Sequence, residues 1–98
     1  MIKVAYDKKY NHICITGHDK ATICASVSSI VQCSANLAIE FNNGVKYEDD
    51  GFSVDIYNVT EDDLVVRKEV VTKVLENMIN CLKDLERQYP DSIEVEER

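Results

Sequence analysis

Tryptophan is absent from this chain of 98 residues, proline occurs once and glycine three times. With so few breakers there is no linker, no low-complexity tract and no internal repeat. Basic residues are also scarce: 11 Lys and Arg stand against 18 Asp and Glu, a formal charge of −7. A direct nucleic-acid binder shows a basic face, and none is evident here. No apolar run approaches the length of a membrane span, and Met1-Ile2-Lys3-Val4 lacks a signal-peptide core. A cytoplasmic protein with no membrane partner is expected. Cys-x-x-Cys pairs are missing as well. The four cysteines are then expected as reduced thiols, and the sequon Asn58-Val59-Thr60 as a chance match.

What remains is an ordinary globular composition, 45% hydrophobic, and a length suited to one domain over residues 1–98. Ile2, Val4 and Tyr6 alternate with polar neighbours, as do Ile13 and Ile15 with His12, Cys14 and Thr16. The period is that of two half-buried strands, joined by a polar turn at Lys8 to Asn11. From about Thr22 to Asn42 the pattern turns helical, with Ile23, Val27, Ile30, Val31, Leu37, Ala38 and Phe41 on the apolar face. Thr22 or Asp19 is the expected cap, and Asn43-Gly44 the stop.

Val45 to Glu48 and Phe52 to Tyr57 alternate again around Asp49-Asp50-Gly51, a second hairpin. A long helix should follow from a cap at Thr60 and Asp63 to Gln88, where Tyr89-Pro90 ends it. Its stripe is Val71, Leu75, Met78, Leu82 and Leu85, with Val74 and Ile79 beside it. Ile93 to Glu96 closes the chain as a charged edge strand. The predicted fold is α+β, two layers, a mainly antiparallel sheet with two helices in the order ββαββαβ.

The chemistry concentrates where the second strand gives way to the first helix, in Gly17-His18-Asp19-Lys20-Ala21-Thr22-Ile23-Cys24-Ala25-Ser26-Val27-Ser28. A thiol near a helix N-terminus is biased towards thiolate, and a histidine outside the helix is placed to take its proton. Cys24 is the candidate nucleophile and His18 its base, with the backbone N–H groups of Cys24 and Ala25 as oxyanion donors. Against this stands a plainer reading, Cys24 as core filler and His18 as a turn residue. His12, Cys14, His18 and Cys24 offer metal-ligand types without any paired zinc spacing, so no metal is expected. Asp49, Asp50 and Asp55 read as a solvated turn and strand.

Gly17-His18 followed by Cys24-Ala25-Ser26-Val27-Ser28 resembles the signature of the bacterial ribosomal-processing (Prp-like) cysteine proteases. The likeness continues through both hairpins and the long helix to Tyr89-Pro90-Asp91-Ser92-Ile93-Glu94-Val95. It implies a cysteine endopeptidase that trims the N-terminal extension of the twenty-seventh large-subunit ribosomal protein during ribosome maturation. It also implies a homodimer, no cofactor, and Gly17, Asp19 and Ser28 as substrate-binding positions beside Cys24 and His18. The partner would be a basic N-terminal segment, which suits an acidic chain. One departure stands out: the family's segment between histidine and cysteine is longer, and Asp19 occupies a place usually held by alanine. The alternative reading is a catalytically impaired dimeric relative that binds a basic peptide without cutting it.

Overall fold

Period-two alternation carries the sheet. The computed structural model describes residues 1–42, 44–58 and 65–98. Strands β1 (Ile2–Asp7) and β2 (His12–Gly17) precede helix α1 (Ala21–Phe41), then β3 (Val45–Asp49), β4 (Ser53–Asn58), α2 (Val65–Gln88) and β5 (Ile93–Glu97). The spatial order is β3-β4-β2-β1-β5. The β1–β2, β2–β4 and β3–β4 pairs are antiparallel, and β5 runs parallel to β1. The predicted α+β order is therefore present, with β5 on an edge as its charged alternation suggested.

One face of the sheet is apolar because the in-register row Tyr47, Ile56, Ile13, Tyr6, with Val45, Val4, Ile15 and Ile93, points to the helices. Both helices cover that face. Val71, Leu75, Met78, Ile79 and Leu82 of α2 are all sealed within the core. Each such side chain contributes about 1.5–3 kcal/mol by leaving water. Truncating Leu82, fully buried, to alanine should cost about 2–5 kcal/mol. The other face of the sheet carries His12, Cys14 and Thr16, none of them buried, as the alternation in β2 requires.

Four expectations need correction. Helix α1 starts at Ala21, with Lys20 as its N-cap and no side-chain cap; neither Thr22 nor Asp19 fills that role. Its last residue is Phe41, one before the expected Asn42, which is extended and accepts the Gly44 N–H on its side-chain oxygen at 2.8 Å; Asn43 of the expected stop lies outside the described residues. The core stripe is narrower than the apolar pattern: Ile23, Val27, Val31, Ala35 and Ala38 are buried, whereas Leu37 and Phe41 are each 44% exposed. At roughly 100° per residue, Leu37 sits to one side of that stripe, and Phe41 lies at its edge in the last turn of the helix. Lastly, α1 is itself long and apolar enough to cross a membrane by length and composition, with a mean hydropathy of 1.4. Its buried side chains are nonetheless committed to the sheet and to α2, which packs against it. The Thr60–Asp63 cap, and Val59 and Thr60 of the sequon, fall on residues outside those described; Asn58 ends β4.

Candidate active site

Gly17 ends β2 in a conformation only glycine accepts easily, with φ +90° and a Cβ position 2.1 Å from the Met1 carbonyl oxygen. That turn throws His18, Asp19 and Lys20 out of the strand before α1 begins. The Met1 ammonium fixes this corner by donating to the His18 carbonyl at 2.8 Å. Of the five residues between His18 and Cys24, Ala21, Thr22 and Ile23 are already helical. The short segment is thus absorbed by an early helix start, and His18 stays outside the helix.

A cleft of about 160 Å³ opens beside this corner. Gly17, His18, Cys24 and Ser28 line it, and so does Gln32, one helical turn past Ser28. The facing wall is the β3–β4 hairpin, through Tyr47, Asp49, Gly51, Phe52, Ser53 and Val54. Asp50 organises the hairpin tip by accepting the Phe52 and Ser53 N–H groups, each at 2.8 Å. Those bonds, the Ser53 one first, hold the Asp50 carboxyl below its ordinary value. The turn therefore presents Phe52, 85% exposed, on the rim of the cleft.

The Cys24 sulfur is half-buried and bracketed by one residue. The Asp19 N–H points at it from 3.4 Å, and the thiol donates to the Asp19 carbonyl at 3.3 Å. Among the described residues no hydrogen bond joins Cys24 to the His18 ring, although both face the same cleft. The imidazole is left available for a proton in transit.

Two expected site roles change. The Cys24 N–H already donates to the Lys20 carbonyl at 3.0 Å, and Ala25 lies one step deeper in the helix. Neither amide is open to an oxyanion, because α1 begins three residues before Cys24. Asp19 does not contact the cleft with its side chain. Its carboxylate accepts the Lys20 N–H at 2.8 Å and pairs with the Met1 ammonium at 3.6 Å. The Lys20 amide above all holds that carboxyl below its ordinary value; desolvation, next in size, opposes it, and the Ser92 hydroxyl and the ammonium add to the lowering.

His12 and Cys14 lie on the opposite face of the sheet, away from His18 and Cys24, so the four cannot share an ion. Among the described residues no three His, Cys, Asp or Glu side chains are placed to hold a metal. All four cysteines are free. Ser26 back-bonds to the Thr22 carbonyl at 2.9 Å, a helix-surface role. The residues missed from sequence are Gln32, Tyr47, Asp49, Phe52 and Ser53. Gln32 was accessible by extending the Cys24, Ser28 spacing one more turn; the hairpin wall was not.

A thiol and an unencumbered imidazole on the wall of one cleft are the equipment of a cysteine peptidase. Residues 1–94 match the family described as cysteine protease Prp, and the chain belongs to that family. Among solved structures, the fold is shared with the essential ribosomal processing protease Prp from S. aureus, in complex with a covalently linked product peptide. That likeness has a TM-score of 0.79 and 21% identity over 100% of both chains. The same S. aureus protease in complex with a substrate peptide gives 0.77 and 19%, again over 100% of both chains. SMU.848 from Streptococcus mutans gives 0.68 and 15%, over 98% of this chain and 90% of its own. No curated protein matches the sequence significantly.

Proposed function

We propose that this cysteine protease removes the N-terminal extension of the twenty-seventh large-subunit ribosomal protein, in the cytoplasm, with Cys24 as nucleophile and His18 as base. The observation that carries the reading is the meeting of Cys24 and His18 on one cleft wall, with a second wall to hold a peptide. His18 takes the thiol proton as the sulfur turns from the Asp19 carbonyl to the scissile carbonyl. The imidazolium returns the proton to the departing amine, leaving a thioester on Cys24. Water, deprotonated by the same ring, then releases the acyl group. Gly17 and Ser28 line the path, and Phe52 overhangs it.

The substrate class follows from the S. aureus relative, which is a ribosomal processing protease crystallised with substrate and product peptides. A charge of −7 supports encounter with a basic peptide. Two copies are expected to pair, and the apolar surface that supports this is Leu37 and Phe41 of α1, each 44% exposed. Leu37→Glu should shift the sedimenting species from dimer to monomer. The test of function is cleavage of an extended ribosomal-protein peptide. Cutting that vanishes in Cys24→Ala supports the reading; cutting that survives removes the nucleophile. Binding without any cutting by the unaltered chain would turn the protein into a peptide-holding relative.

A further inference from the structure

We infer that Asp19 is the residue that seats the Cys24 sulfur, its side chain clamped so that its own peptide groups embrace the thiol. The inference rests on the reading of Cys24 as nucleophile, but its consequences are measurable without turnover. Three observations converge on it. The Asp19 side chain is only 14% exposed, and it is turned away from the cleft. It is anchored on the Lys20 amide at 2.8 Å and paired with the Met1 ammonium at 3.6 Å, and the Ser92 hydroxyl, in the turn before β5, also favours its charged form. On its other side the same residue supplies both contacts of the sulfur, the N–H at 3.4 Å and the carbonyl at 3.3 Å.

The two contacts act oppositely on the thiol. An N–H aimed at sulfur favours the thiolate, and a carbonyl that accepts the S–H favours the neutral form. A hydrogen bond to a charged acceptor is about twice as strong as a neutral one, and S–H is a weak donor. The N–H is the contact that acts on the charged form, so releasing the seat removes that support from the sulfur. The carbonyl parks the proton until substrate and His18 draw the sulfur outward. The Cys24 amide, spent on Lys20, cannot do this work. Asp19 is a positioning residue: it reaches the reaction only through the sulfur it holds.

The carboxylate's negative charge has its own effect, which separates seating from simple electrostatics. Removing charge alone should lower the pH at which Cys24 ionises; releasing the clamp should raise it. The other titratable groups are His18, Tyr47 and Asp49 in the cleft and the Met1 ammonium beside the Asp19 carboxylate, and none is altered in the test. The experiment is the pH profile of iodoacetamide alkylation at Cys24, followed by peptide mass spectrometry in the whole protein. Asp19→Ala is expected to move the midpoint upward by about 0.5–1 pH unit. Asp19→Asn, which keeps the acceptor for Lys20 and Ser92, should leave it unmoved or slightly lower. Ser92→Ala removes a hydroxyl that favours the Asp19 carboxylate and should shift it upward by a smaller step, which keeps the test open if Asp19→Ala folds poorly. A midpoint that falls in both Asp19 variants, or stays fixed in Asp19→Ala and Ser92→Ala alike, overturns the seating role. Loss of peptide cleavage with these shifts present would instead fault the protease reading.

Discussion

The chain holds two cysteine–histidine neighbourhoods, and their contrast is the reason Cys24 rather than Cys14 is the proposed nucleophile. On the open face of the sheet, His12 is tied to the Asp55 carboxylate at 2.9 Å and meets Tyr57 edge-on at 6.3 Å. Cys14 lies opposite that same Asp55 in the β2–β4 register. Burial first, and then the Asp55 charge, pushes the Cys14 thiol above its ordinary value. In the cleft, His18 carries no such tie among the described residues, and Cys24 meets peptide groups rather than a carboxylate. The residue types are the same. One pair is neutralised by an acid, and the other is exposed to a substrate path.

The sharpest way to break that contrast is to delete each sulfur in turn. Cys24→Ala should lower kcat for an extended ribosomal-protein peptide by about 10³-fold or more, since nothing else supplies the covalent step. Cys14→Ala should stay within about twofold, the usual margin for a change outside a site. Equal losses would erase the distinction. Next in size is the corner that puts His18 in place. Gly17→Ala brings a Cβ to 2.1 Å from the Met1 carbonyl oxygen at φ +90°. It should destabilise the fold by more than about 2 kcal/mol in urea titration, because the φ strain alone costs about 1–3 kcal/mol.

A smaller effect belongs to the rim. Phe52→Ala should raise KM several-fold, by about 1 kcal/mol of lost contact, and leave kcat nearly unchanged. Its side chain is 85% exposed, so thermal stability should not move. The least effect concerns Cys14. Asp55→Asn removes a negative charge that disfavours the thiolate, so the Cys14 ionisation midpoint should fall. Alkylation of Cys14 near neutral pH should then quicken about two- to fivefold, with Cys24 unaffected.

The element types were legible in the sequence because their periods were clean. Ile13 and Ile15 against His12, Cys14 and Thr16 fixed which face of β2 is covered, and the buried pattern agrees. So were the corner and the thiol, through Gly17-His18 and Cys24. The cap of α1 was not, because Lys20 caps by backbone conformation alone and leaves no side-chain signature. The expected start, about Thr22, lies one residue from the observed Ala21, but reading Cys24 as the mouth of the helix moved the oxyanion role onto amides that the helix consumes. Leu37 and Phe41 misled for another reason: apolar side chains at helical spacing mark a stripe, not which part of it the sheet covers. The hairpin wall of the cleft was beyond local reading. Its strands were evident, but the pairing of β4 with β2, which brings Phe52 towards Cys24, is a property of the whole sheet.

One measurement bears most directly on the central assignment. Rapid acid quenching during turnover of the extended peptide, followed by peptide mapping, should locate a thioester-linked acyl fragment on Cys24. The expected result is that mass on the Cys24 peptide and on no other, absent from Cys24→Ala. An acyl group found on Cys14, Cys33 or Cys81, or steady cleavage by Cys24→Ala, would contradict it.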